Sequence, residues 1–132
     1  MTQTPSAVAL LLVLGATTAA GATDPLPAIQ QSARAAGNFP GFSAARGAAF
    51  FRQKGTDWSC TTCHTADPRQ PGRHTVTGKA IEPMAPAVNP ARLTDAAKVE
   101  KWFRRNCRDV LDRECTALEK GDVITYLRSL GR

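Results

Sequence analysis

The sequence predicts an all-α fold, a small helical domain in which one long segment is too broken to be helix. Three observations predict it. Apolar residues recur at helical spacing in stretches near 43–54, 94–110 and 116–130. Each stretch opens on a residue suited to capping a helix: Ser43, Thr94 or Asp95, and Thr116. Between the first two stretches, Asp67 to Pro90 is punctuated by Pro68, Pro71, Gly72, Gly78, Pro83, Pro86 and Pro90, which rules out one continuous helix.

Residues 1–22 read as an export signal. Ala7 to Ala16 is an apolar run, followed by Ala20-Gly21-Ala22, which fits an A-x-A cleavage site, although no Lys or Arg precedes the run. The run is shorter than the roughly 20 residues of a membrane span, so cleavage is preferred to a retained anchor. The remaining chain of about 110 residues makes one domain, not membrane-spanning. All 17 Lys and Arg and all 11 acids lie beyond the signal, for a net charge of +6. A basic surface suits an acidic redox partner or simply a soluble exterior. No nucleic-acid module or aromatic-basic alternation is present, so nucleic acid is not expected as a partner.

Residues 23–42 form an N-terminal extension or short helix, with a helical turn expected over Ala28 to Ala36 and a break at Pro40-Gly41. The next helix runs from Ser43 to Lys54, with Gly47, Phe50 and Phe51 on its inner side and Gly55 at its end. Gly47 is costly in a helix. Either another helix comes close there, or a surface glycine is tolerated.

Cys60-Thr61-Thr62-Cys63-His64 follows. Two cysteines two residues apart with His directly after read as covalent haem c attachment. The thiols can add to the two vinyl groups of one haem, and the imidazole then comes under the iron as proximal ligand. The expected cofactor is therefore one covalently attached haem c per chain. The loop to Pro90 is expected to wrap this group rather than be disordered, because Val76, Ile81, Met84 and Val88 are interspersed along it.

The helix starting at Thr94 or Asp95 carries Ala96, Val99, Trp102, Phe103, Asn106 and Val110 as an expected buried stripe. Asn106 is the polar exception. A buried amide needs partners, so it satisfies a backbone group or faces an open coordination position. The last helix starts near Thr116 with Glu119 completing a capping box. Its apolar side is Val123, Ile124, Tyr126, Leu127 and Leu130. Cys107 and Cys115 remain after the haem pair is assigned. Export permits their oxidation, and a disulfide is preferred to two thiols or an intermolecular bond.

Three residues compete for the sixth position on iron. Met84 offers sulfur, as in many cytochromes, but lies 20 residues after His64 and equally suits packing. His74 offers imidazole. Asn106, 42 residues after His64, offers an amide oxygen, a harder donor that favours ferric iron.

The region from Ser43 onward resembles the sphaeroides haem protein (SHP) group of small oxygen-binding class I cytochromes c. The resemblance rests on Cys60 to His64, Thr77-Gly78-Lys79, Ile81 to Pro86, Lys101 to Cys107, Arg113 to Thr116, and Glu119-Lys120. It implies a class I cytochrome c fold over 43–132, with a helix bearing Gly47 and Phe51 crossing the last helix near Tyr126. It implies His64 as proximal ligand and Asn106 as distal ligand of the oxidised protein. Asn106 leaves on reduction and admits oxygen, carbon monoxide or nitric oxide. It also implies a Cys107–Cys115 disulfide, a periplasmic location in a Gram-negative bacterium, and a dihaem cytochrome c and a membrane cytochrome b as redox partners. Trp102 and Phe103 are candidates for the pocket wall. The expected activity is electron transfer with redox-gated gas binding rather than catalysis. A haem enzyme acting on oxygen, nitric oxide or a small nitrogen compound is one alternative, and a conventional His64/Met84 carrier is another.

Overall fold

The computed structural model of the chain describes residues 21–131. In chain order its elements are α1 (Leu26–Ala35), α2 (Ala44–Arg52), α3 (Cys60–His64), β1 (Gly72–Arg73), β2 (Ala80–Ile81), α4 (Ala96–Leu111) and α5 (Ala117–Ser129). The expected leader lies, as far as residue 20, outside the described residues. Among the described residues no helix is long and apolar enough to cross a membrane.

The helix starts follow their local chemistry. The Ser43 side chain accepts the Arg46 N–H, the Asp95 carboxylate accepts that of Lys98, and Thr116 and Glu119 cap one another reciprocally. Each satisfies a backbone donor that the first turn would otherwise leave unpaired.

Helix α5 is the hub. Gly121, Asp122, Val123, Ile124, Tyr126 and Leu127 are buried, as expected of a helix covered on more than one side. It packs against α2 and also against α1, which buries Ile29 and Ala33. The α2–α5 crossing resolves the two readings of Gly47, because a Cβ there would overlap the carbonyl of Asp122. Phe51, Val123, Tyr126 and Leu127 form the core beside it, with Phe51 and Tyr126 ring centroids 5.8 Å apart. The buried Asp122 carboxylate locks the crossing by accepting the Ser43 N–H at 2.7 Å and pairing with Arg46 at 2.7 Å.

The class I cytochrome c fold implied by the resemblance is corrected. The described residues form an all-α assembly of five helices with one small antiparallel strand pair in the loop, Gly72 opposite Ile81 and Arg73 opposite Ala80. The motifs carrying the resemblance surround the haem and do not report how helices outside them pack. Residues 23–42 lie outside those motifs, yet they supply α1, which docks on α5. Thr23 then reaches α4, donating its N–H to the Thr94 carbonyl at 2.8 Å and accepting the Ala96 N–H at 3.1 Å.

Helix α4 differs from its expected role in one respect. Its inner stripe of Val99, Phe103, Asn106 and Val110 is half-buried rather than buried, and within the helix only Cys107 is fully covered. It makes no extended contact with another helix or strand. It is held to α5 by the Lys120–Glu100 ion pair and by Phe103, which packs on the core cluster with Val123, Tyr126 and Leu127, and to the turn before α5 by the Cys107–Cys115 disulfide, whose Cα atoms are 5.8 Å apart.

Candidate haem-binding site

The attachment motif folds as the single helical turn α3. The Ser59 N–H donates to Thr62 Oγ1 at 2.9 Å, which holds its start. Thr65 ends it at φ 63°, a left-handed value unusual for a side chain bulkier than glycine and costing about 1–3 kcal/mol. The Thr65 hydroxyl donates to the Asp67 carbonyl at 2.7 Å, turning the chain sharply after His64.

Cys60 and Cys63 are free and half-buried. Burial pushes the Cys60 thiol up to about 11, with a small contribution from Cys63. The Cys63 sulfur lies 3.5 Å from the Thr75 N–H and 3.6 Å from its hydroxyl, so the strand-loop fixes its direction. The His64 imidazole is pushed down to about 4, first by burial and then by Arg92 and His74. It is therefore neutral, with a lone pair available to a metal. Its Nδ1 is buried and has no hydrogen-bond partner, a loss worth about 1–3 kcal/mol unless something else engages the ring. The Phe51 ring lies 6.1 Å from the His64 ring, joining the site to the core.

These residues fit a haem. Among the described residues no group of three or more His, Cys, Asp or Glu converges to hold a bare ion. Cys60, Cys63 and His64 thus share one helical turn without sharing a focal point. That arrangement suits two carbon atoms and one iron of a larger flat group, and does not suit tetrahedral zinc.

The remaining expected residues fall in different places. Met84 packs against the core cluster with Leu93 and Phe103, and its N–H donates to the Pro68 carbonyl at 2.8 Å. His74 Nδ1 accepts the N–H groups of Val76 and Thr77 at 3.2 Å each, so that nitrogen closes a turn. Trp102 is 43% exposed with the Arg105 guanidinium over its ring, so the chain alone does not place it in an apolar wall. Asn106 is half-buried on α4, one residue before the disulfide, and among the described residues no hydrogen bond partners its side-chain amide.

Sequence reading missed Gly72, Thr75 and Arg92. Gly72 was visible only as a turn former, yet a Cβ there would overlap the Cys63 carbonyl. Gly72→Ala is therefore expected to displace α3 from the strand pair and to cut covalent haem incorporation several-fold. Absorbance of the denatured protein in pyridine, per mole of chain, measures this, and full incorporation would refute it.

The chain was compared with known proteins. A family model described as "Domain of unknown function (DUF1924)" matches residues 37–127. The cytochrome c-type protein SHP of Cereibacter sphaeroides is 44% identical over 123 residues, covering 89% of this chain and 93% of that protein. The structure of oxidised SHP, described as an oxygen-binding cytochrome c, aligns with a TM-score of 0.73 at 43% identity, covering 83% of this chain and 100% of that one. The solution structure of Methylophilus methylotrophus cytochrome c'', concerned with haem-ligand detachment, aligns with a TM-score of 0.71 at 35% identity, covering 81% and 91%. The five-helix arrangement is thus that of SHP and cytochrome c'', and this match overturns the class I assignment.

Proposed function

Because this chain belongs to the SHP and cytochrome c'' group of haem-binding cytochromes, we propose that it is a periplasmic monohaem electron carrier whose distal site opens on reduction to admit a diatomic gas. It carries one covalently attached haem c per chain, as that group does. Its maturation is proposed to include removal of a leader near residues 20–22, leaving the extension 23–42 and a haem domain over 43–132.

When bound, the haem supplies an iron that changes oxidation state and accepts a small ligand. The chain supplies the rest. Cys60 and Cys63 would anchor the group, and the neutral His64 imidazole would be one ligand of its iron. Asn106 would be the second in the oxidised protein. One observation carries that role: a half-buried amide with no hydrogen-bond partner among the described residues sits on the inner stripe of a helix that makes no extended contact with another described element. An amide with no hydrogen-bond partner among the described residues keeps its oxygen lone pairs available to a metal. An amide oxygen is a hard donor that prefers ferric to ferrous iron, so it withdraws on reduction. The Cys107–Cys115 link keeps the backbone beside Asn106 close to the start of α5, so the amide leaves chiefly by side-chain rotation. Met84 is committed to the core, which argues against it as the ligand. Phe103 lines the inner side of α4.

Lys101, Arg104 and Arg105 are exposed on α4 and offer a basic face to a redox partner, for which a dihaem cytochrome c or a membrane cytochrome b is proposed. Spectra of the purified holoprotein test the reading. Low-spin ferric haem should become high-spin on reduction and bind carbon monoxide rapidly. A reduced form that stays low-spin and refuses carbon monoxide would sink it, and a methionine-to-iron charge-transfer band in the oxidised form would transfer the role to Met84.

A further inference from the structure

Arg92 is half-buried and carries the loop that leads into α4. Its Nε donates to the Pro83 carbonyl at 2.9 Å and its Nη2 to the Glu82 carbonyl at 2.6 Å. A guanidinium has five N–H donors, so the Nη1 pair and one N–H of Nη2 remain available. Both acceptors are neutral. Among the described residues no carboxylate lies in ion-pair contact with Arg92, although it is half-buried. The Glu82 carboxylate offsets the charge of Arg92 only at longer range and less than burial disfavours it, so a half-buried cation whose direct partners are carbonyls is incompletely compensated.

Its surroundings identify what would supply that charge. Arg92 braces the turn that carries Met84, and Leu93 follows it directly. Met84 and Leu93 both pack on the core cluster that includes Phe51, and the Phe51 ring lies 6.1 Å from that of His64. The guanidinium is also close enough to His64 to disfavour its protonation, and burial disfavours Arg92's own charge. Thus a cation with unused donors stands beside the proposed axial histidine. Haem c carries two carboxylates at its edge, and a guanidinium fork matches carboxylate geometry.

We propose that Arg92 is the counter-ion of a haem propionate, and that through this pair it positions the cofactor and favours its reduced state. The proposal rests on the haem reading above. Its direction follows from charge: ferric haem is one unit more positive than ferrous haem, so a nearby cation disfavours the ferric form.

The test compares wild-type holoprotein with Arg92→Gln and Arg92→Lys. Each is checked first for covalently bound haem by its pyridine spectrum, then measured for midpoint potential and for the propionate bending mode in resonance Raman. Arg92→Gln should shift the one-electron equilibrium about tenfold towards ferric, a fall of about 59 mV, and should move the propionate mode. Arg92→Lys keeps the charge but not the fork, so its potential should stay near wild type while the mode still moves. A potential and a mode unchanged in both variants, with only the melting temperature lowered, would overturn the proposal and leave Arg92 as a brace of the Glu82–Pro83 turn. If Arg92→Gln does not accumulate, an unmoved propionate mode in Arg92→Lys overturns it alone. Wild-type chain that takes up no covalent haem would instead defeat the haem reading, so the two failures are distinguishable.

Discussion

Asn106→Ala is expected to leave the oxidised protein open to added ligands. The apparent affinity of a site that is open only part of the time is reduced by the open fraction. If the amide closes the site in 99 of 100 oxidised molecules, removing it should tighten cyanide or imidazole binding to the ferric form about 100-fold. Carbon monoxide binding to the reduced form should scarcely change, because the proposed switch has the amide off the iron there. The fold should tolerate the change: Asn106 is half-buried, its amide makes no side-chain hydrogen bond among the described residues, and alanine is a good helix former. A titration of both oxidation states checks this. Equal ferric affinities in variant and wild type would remove Asn106 from the iron. Met84→Leu is the matched control, since it conserves core volume and costs under about 1.5 kcal/mol. It should leave the ferric spectrum as it is.

Gly47→Ala is expected to destabilise the scaffold strongly. Alanine is favoured over glycine within a helix by about 1 kcal/mol. The opposing effect is larger. The new Cβ would meet the Asp122 carbonyl, a backbone group of α5 that cannot rotate aside, with the Tyr126 Cβ close behind. Overpacking of this kind costs about 1–3 kcal/mol and occasionally more, and relief requires the two helices to separate. Separation would loosen the Phe51–Tyr126 contact and the Asp122 bonds to Ser43 and Arg46 as well. A net loss of about 2 kcal/mol corresponds to a fall in melting temperature of about 8–16 °C for a domain near 100 residues. Unchanged melting would mean that α2 and α5 do not cross at this point.

What could be read from sequence was what short-range chemistry decides. The turn at Cys60–His64 and the helix starts at Ser43, Asp95 and Thr116 depend on partners within about four residues, and the structure shows those partners bonded. The pairing of Cys107 with Cys115 is similarly local. Gly47 stayed ambiguous because its neighbour, Asp122, is distant in sequence. Gly72 against Cys63, Thr75 against the Cys63 sulfur, and Arg92 against Glu82 and Pro83 are contacts made by an irregular loop, where no periodicity announces which side chain turns inward. The stripe on α4 has the spacing of a buried face but is only half covered by protein, because periodicity reports amphipathicity and not the identity of what covers it. The class I expectation failed for a related reason. Motifs around a cofactor specify its attachment chemistry, while the docking of α1 on α5 depends on Ile29 and Ala33, which lie outside those motifs.

The four cysteines have two incompatible fates. Cys107 and Cys115 must be oxidised, whereas Cys60 and Cys63 must remain thiols until they are alkylated by the vinyl groups. An oxidising compartment acts on all four, and oxidation begins from the thiolate. The folded chain separates them. Its helix–turn–helix corner brings Cys107 and Cys115 to a Cα separation of 5.8 Å. Burial, meanwhile, raises the Cys60 thiol to about 11, so very little of it is ionised at neutral pH. A chain that folds before its cofactor arrives thereby keeps Cys60 chiefly as the thiol while Cys107 and Cys115 already stand at bonding distance.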